Sequence, residues 1–191
     1  VKGSYKGIES NITYFVPLDK KYELWRVELS NRTEQARTLR AFTYMEFSSY
    51  VADYDIKADW PRYFMTGFRE GNAAVFDPSN DWIHVPERLS FIGTNIDISG
   101  YDCDRDAFIG RYRSESNPIA VEQGACSNTE INADNCCGSV CVDISIQAHE
   151  TKTFYVVVGI TDDREKIHSI IEDAVKTADG DFEKLSQFWA E

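Results

Sequence analysis

Gly100-Tyr101-Asp102-Cys103-Asp104-Arg105-Asp106-Ala107-Phe108-Ile109-Gly110-Arg111-Tyr112-Arg113, running on through Asn117-Pro118-Ile119-Ala120 to Cys126-Ser127-Asn128-Thr129, is the stretch on which the reading of this chain turns. It is rich in Gly, Arg, Asp and Asn and follows neither the helical nor the strand period. Strand-like runs lie on both sides of it. A connection this long inside a compact domain is either functional or disordered. The rings of Tyr101, Phe108 and Tyr112 and the mixed charges of Asp104, Arg105, Asp106, Arg111 and Arg113 argue against disorder. The chain is therefore read as a β domain organised around one long ordered loop.

Downstream of the loop, Val140, Val142, Ile144 and Ile146 alternate with period two. A turn at Ala148-His149-Glu150 follows. Residues 153–160 are almost wholly apolar, which predicts a strand covered on both faces. Upstream, residues 89–95, 73–76 and 62–69 read as strands, the last two joined by a Gly71-Asn72 turn. Pro78 and Pro86 punctuate a loop at residues 77–88, and residues 48–61 read as a polar loop with aromatics. Residues 21–29 point Trp25, Val27 and Leu29 inward. Residues 37–47 set Leu39, Ala41, Thr43, Met45 and Phe47 on one face. With a turn at residues 30–34, residues 21–47 are expected to form a β-hairpin with a longer loop. Residues 11–18 alternate Ile12, Tyr14 and Val16, and Pro17 ends that strand or places it at an edge.

The period changes after residue 160. Ile167, Ile170, Ile171 and Val175 stand at helical spacing. Thr161 or Asp162 is the expected N-cap, with Glu165 as capping-box partner of Asp162, and Asp179-Gly180 the expected stop. A second helix would then carry Phe182, Leu185, Phe188 and Trp189. Strands first and helices last, without alternation, disfavour a parallel α/β fold. The expectation is a mainly β, antiparallel sandwich at residues 1–160, followed by helices at residues 161–191.

The 191 residues suffice for one domain with a real core, at 42% hydrophobic and 13% aromatic. A formal charge of −12 disfavours nucleic acid and anionic membrane as partners. No run is long and apolar enough to span a bilayer, and the N-terminus has no apolar signal core. An N-terminal Val in place of Met points to a processed or excised piece. Five cysteines, an odd number with no signal sequence, point to reduced cytoplasmic thiols. Cys136, Cys137 and Cys141 do not form a Cys-x-x-Cys pair, and no His has ligand spacing to them.

Asp102, Asp104 and Asp106 open like a calcium loop. Ala107 and Arg113 hold the positions that need Gly and Glu, so the loop is read as a turn salt-bridged by Arg105, Arg111 and Arg113. Carboxylate pairs for glycoside hydrolysis come from distant segments and spacing cannot find them. His84, His149 and His168 are isolated, and no nucleophile or phosphate-loop motif occurs. The positive signal is a set of loop aromatics: Tyr50, Tyr54, Trp60, Tyr63, Trp82, Tyr101 and Tyr112. Flat rings beside Asp, Asn and Arg suit sugar stacking and hydroxyl recognition. The competing reading is that these rings cover the core.

Several segments stand in an informative order: Tyr5-Lys6-Gly7-Ile8-Glu9 with Ile12-Thr13-Tyr14-Phe15-Val16-Pro17-Leu18, Glu23-Leu24-Trp25-Arg26-Val27, Asp104-Arg105-Asp106-Ala107-Phe108-Ile109-Gly110 with Tyr112-Arg113, Asn117-Pro118-Ile119-Ala120-Val121-Glu122, and Asp181-Phe182-Glu183-Lys184 with Phe188-Trp189. In this order the chain resembles the N-terminal domain of cellobiose phosphorylase-type enzymes, glycoside hydrolase family 94. The resemblance implies a mutarotase-like supersandwich, here with its opening strands missing, and linker helices leading to an absent (α/α)6 catalytic barrel. It implies a parent that splits a β-linked disaccharide such as cellobiose with inorganic phosphate, giving α-glucose 1-phosphate and a free sugar. No metal or organic cofactor is implied. A homo-oligomer is, and an open sheet edge left by missing strands would favour one. Arg62, flanked by Trp60, Pro61 and Tyr63, matches the place of an Arg that lines the acceptor-sugar subsite. An ion pair with Asp59 is the alternative role for Arg62. The chain is thus expected to be the non-catalytic sandwich portion of a disaccharide phosphorylase, or alternatively a stand-alone carbohydrate-binding module for β-glucans.

Overall fold

Side chains alternate across a strand, so a strand covered on both sides must carry two apolar faces, and this chain has several such strands. The computed structural model describes residues 1–48, 65–78 and 89–190. Among them, eleven strands form two antiparallel sheets. The large sheet contains β1 (Lys2–Tyr5), β2 (Ile8–Phe15), β3 (Tyr22–Asn31), β5 (Thr66–Glu70), β6 (Ala73–Asp77), β7 (Leu89–Thr94), β9 (Ile131–Asn132) and β11 (Thr151–Thr161), in the order β1-β2-β3-β11-β7-β6-β5-β9. The small sheet holds β10 (Cys136–Ile146) between β4 (Arg37–Phe42) and β8 (Ile98–Asp104).

The inner faces of the two sheets meet in one core. Val27, Leu29, Ala74, Phe76, Ile92, Phe154 and Val156 come from the large sheet, and Val140, Val142, Ile144 and Ile146 from β10. The alternation expected on β10 and the double cover expected on β11 are both present. Val157 points the other way, with Phe15, Leu24, Val75 and Phe91, into a second core under helix α3 (Ile167–Ala190). No helix among the described residues is long and apolar enough to cross a membrane.

Four expectations need correction. Residues 21–47 do not form a hairpin: β3 pairs with β2 and β11, and β4 pairs with β10 in the other sheet. Buried Asn31 turns the chain between sheets. Its amide donates to the carbonyls of Gln35, Ile146 and Gln147, and its oxygen accepts from the Thr33 amide. Those bonds replace the ladder a hairpin would have made.

The two C-terminal helices are one. Gly180 lies within α3 and has no positive φ. Ala178 is buried before it, and Phe182 meets Phe15 edge-on at 5.3 Å after it. Those contacts outweigh the roughly 1 kcal/mol a helical Gly costs. The helix start also differs. Asp163 caps a short 3-10 turn, Arg164–Lys166, through the Glu165 amide, while Asp162 pairs with Lys166.

Finally, the organising stretch begins inside a strand. Residues 100–104 belong to β8, and two short helices follow, α1 (Arg105–Ile109) and α2 (Ile119–Gln123).

Candidate functional site

The stretch after β8 forms a lid on the outer face of the small sheet. Phe108, Ile109 and Ala120 from the two short helices pack with Cys126, Cys137 and Cys141, and Phe42 and Tyr44 close the side. Beneath it, β10 turns Cys137, Ser139 and Cys141 outward and is buried on both faces as far as Val142, beyond which Asp143 and Ser145 are exposed. The small side chains at alternate positions 137, 139 and 141 were the sequence signal for this second covered face.

Asp102 clamps the two ends of the lid. Its side chain points outward from β8 and is fully buried. It accepts from the Ser127 amide at 2.9 Å, the Thr129 amide at 3.2 Å and the Thr129 hydroxyl at 2.9 Å. Burial pushes the Asp102 pKa up, and the Ser127 and Thr129 hydrogen bonds oppose that shift. Gly100, next to it, leaves room for Cys126: a Cβ at Gly100 would stand 3.2 Å from that of Cys126.

Charged residues rivet the outside of the lid. Asp104 caps α1, accepting from the amides of Asp106 and Ala107. Arg105 reaches Glu46 at 2.7 Å and Glu115 at 2.6 Å, and Arg113 pairs with Glu122. Arg105 and Arg113 therefore serve glutamates, not the three aspartates that open the segment. Arg40 holds Asp143 and the carbonyl of Gly124. Between these anchors the chain turns at Gly110 (φ 90) and Tyr112 (φ 61), leaving the Tyr112 side chain fully exposed.

The titratable groups around this surface are spread apart. Burial pushes the thiols of Cys103, Cys126, Cys137 and Cys141 up, so they stay protonated and unreactive at neutral pH. His149 and His168 sit apart, beside Glu34 and Glu172 respectively. Among the described residues no group of three or more His, Cys, Asp or Glu could hold a metal ion. A shallow trough of about 620 Å³ on the open end of the large sheet is polar and internally paired: Asn11 donates to Glu28 and Arg32 to Glu9.

Arg62, Trp60 and Tyr63 lie outside the described residues, as do Tyr50, Tyr54 and Trp82. Of the remaining loop aromatics, Tyr101 sits on β8 with the Arg69 guanidinium 5.9 Å from its ring centre. Tyr112 is fully exposed between the two short helices of the lid. Sequence reading missed Asp102 as the clamp because its partners lie 25 and 27 residues ahead.

The glycosyl hydrolase 94 supersandwich domain matches residues 1–177. The chain is 34% identical over 191 residues to an N,N'-diacetylchitobiose phosphorylase of Vibrio furnissii, covering 98% of this chain and 23% of that protein. It is 32% identical to an enzyme of the same name from Vibrio proteolyticus, with the same coverage of both chains. It is 24% identical over 170 residues to a solabiose phosphorylase of Paenibacillus borealis, covering 86% of this chain and 21% of that one. The chain thus spans about a quarter of the length of these relatives, and by the match over most of its residues it belongs to the glycosyl hydrolase 94 supersandwich domain family.

Proposed function

We propose that this chain is the non-catalytic sandwich portion of an inverting disaccharide phosphorylase whose chemistry resides elsewhere in the protein. Family membership over residues 1–177 carries this reading. The whole protein would split a β-linked disaccharide with inorganic phosphate into an α-sugar 1-phosphate and a free sugar. N,N'-diacetylchitobiose is favoured over cellobiose, because the two relatives of that name are 34% and 32% identical across 98% of this chain.

The 191-residue chain is expected to show no phosphorolysis of either disaccharide. The full-length protein is expected to release sugar 1-phosphate from N,N'-diacetylchitobiose faster than from cellobiose. Turnover by the chain alone would overturn the scaffold reading. Millimolar binding of β-glucans by the isolated chain, measured by calorimetry, would instead favour a carbohydrate-binding module. Five free thiols support a reducing, cytoplasmic setting.

Arg62, with Trp60 and Tyr63 beside it, is proposed to line the acceptor-sugar subsite. A planar guanidinium can grip two hydroxyls, which a Lys cannot copy. Arg62→Lys in the full-length protein is expected to raise KM for the disaccharide and leave KM for phosphate nearly unchanged. A lost charge-assisted hydrogen bond is worth about 1.5–3 kcal/mol, on the order of ten- to a hundredfold in kcat/KM. A lowered Tm of the isolated chain with unchanged full-length kinetics would make Arg62 structural.

A further inference from the structure

Three free thiols share the buried seam between the lid and β10: Cys126 from the returning end of the lid, Cys137 and Cys141 from the strand. Side chains four residues apart on a strand stand roughly 13 Å apart, at about 3.3 Å per residue. A disulfide spans at most about 7 Å between Cα atoms, so Cys137 and Cys141 cannot join each other. Cys126 is placed to reach Cys141. It packs over Gly100, where an added Cβ would stand 3.2 Å from that of Cys126, and Gly100 is the cross-strand partner of Cys141. Such partners hold their Cβ positions about 4.5–5.5 Å apart. The Cys126 sulfur lies 3.8 Å from the Ser139 hydroxyl, and the Cys141 sulfur accepts from the Ser99 hydroxyl at 3.4 Å. The Cys126 and Cys141 thiols are themselves hydrogen-bonding neighbours. Cys137 points to the other end of the seam, its thiol 3.8 Å from the Asp102 carbonyl. Cys103 and Cys136 belong to the core on the opposite side of the sheet.

We propose that Cys126 and Cys141 form a redox lock, in which a disulfide between them fixes the lid shut on β10. With the lid closed, both thiols are buried and shielded from oxidant. Cys126 precedes Ser127, whose amide donates to Asp102, so release of that clamp lifts Cys126 and uncovers Cys141 in one movement. Once in water, the thiolate of either residue attacks a hydroperoxide. The O–O bond breaks, the sulfur becomes a sulfenic acid, and water or an alcohol leaves. As the lid recloses, the second thiol displaces the hydroxyl: the S–S bond forms, the S–OH bond breaks and a water leaves. The two thiols thus give two electrons and two protons to one peroxide. A dithiol reductant reverses the step by thiol–disulfide exchange. The lock adds a covalent tie to a lid otherwise held by Asp102, apolar contacts and exposed ion pairs that salt screens.

The 191-residue chain treated with hydrogen peroxide tests the lock, read by peptide mass spectrometry, Tm and amide hydrogen exchange. Oxidation is expected to yield a linked peptide pair joining Cys126 to Cys141. Closing a loop of this size is expected to raise Tm by roughly 5–10 °C, and dithiothreitol to return it. Exchange across residues 105–126 is expected to slow on the order of tenfold, because the lid can no longer open locally. Cys126→Ser and Cys141→Ser are each expected to abolish the rise between reduced and oxidised protein, and Cys137→Ala to keep it. Each comparison is made within one variant, so a variant of lower starting stability still reports. Asp102→Asn, which weakens the clamp, is expected to speed linkage several-fold under the same peroxide. Absence of the Cys126–Cys141 linkage, a link to Cys137 in its place, or a linked protein with unchanged Tm and exchange would each overturn the proposal. Equal linkage rates in Asp102→Asn and wild type would overturn the part that makes lid opening the gate.

Discussion

Asp102→Ala is expected to lower the stability of the isolated chain by about 3–5 kcal/mol, because each buried donor left without an acceptor costs about 1–3 kcal/mol. The substitution strands the amides of Ser127 and Thr129 and the Thr129 hydroxyl, all of which donate to Asp102. It also releases the far end of the lid, so the face of β10 carrying Cys137, Ser139 and Cys141 is exposed along with it. At roughly 2–4 °C per kcal/mol for a chain of this size, Tm should fall on the order of 10 °C. A loss below about 1 kcal/mol would show that the lid is held by its apolar contacts alone.

The pH dependence of the same site has a definite sign. The Asp102 pKa is raised from its ordinary 3.8, mainly by burial. The folded state therefore takes up this proton at higher pH than the unfolded chain. Asp102 disfavours the folded state above its raised pKa, and that penalty lifts as pH falls through it. Asp143, whose pKa its bond to Arg40 holds down, contributes with the opposite sign: its stabilisation is lost as pH falls. The stability difference between wild type and Asp102→Asn isolates the first effect. It should move in favour of the wild type as pH falls below neutral toward 3.8.

Phe76→Ala is the second large effect, expected to cost about 3–5 kcal/mol. The ring is fully buried between the sheets and stacks on Phe47 with centroids 4.8 Å apart. Two glycines leave the space it fills: a Cβ at Gly67 would stand 2.8 Å from the ring and one at Gly138 3.3 Å. Removing the ring leaves a void walled by two strands that cannot close without shifting a sheet. The expected result is a cooperative urea transition at a lower midpoint with the same slope. A changed slope would mean that the two sheets no longer unfold together.

How much of this was legible beforehand depended on how local the physics is. The inward alternation of Val140 to Ile146, the double cover of β11 and the turns at Gly71-Asn72 and residues 148–150 rest on backbone period and turn chemistry. Both act within a few residues, and the sequence alone determined them. The family resemblance carried the supersandwich class and the phosphorylase context. Tertiary structure alone decided which strands pair. The segment at residues 21–47 has hairpin patterning, yet the bonds of Asn31 to Ile146 and Gln147 send β4 to the other sheet. It decided the single helix too, since Gly180 is overruled by the contact of Phe182 with a ring 167 positions earlier, Phe15. The organising loop shows the division most plainly. Its composition announced order, while its attachment through Asp102 and its cover over β10 depend on groups far apart in the chain. Burial energy is summed in three dimensions, and no local period records which distant surface a residue will cover.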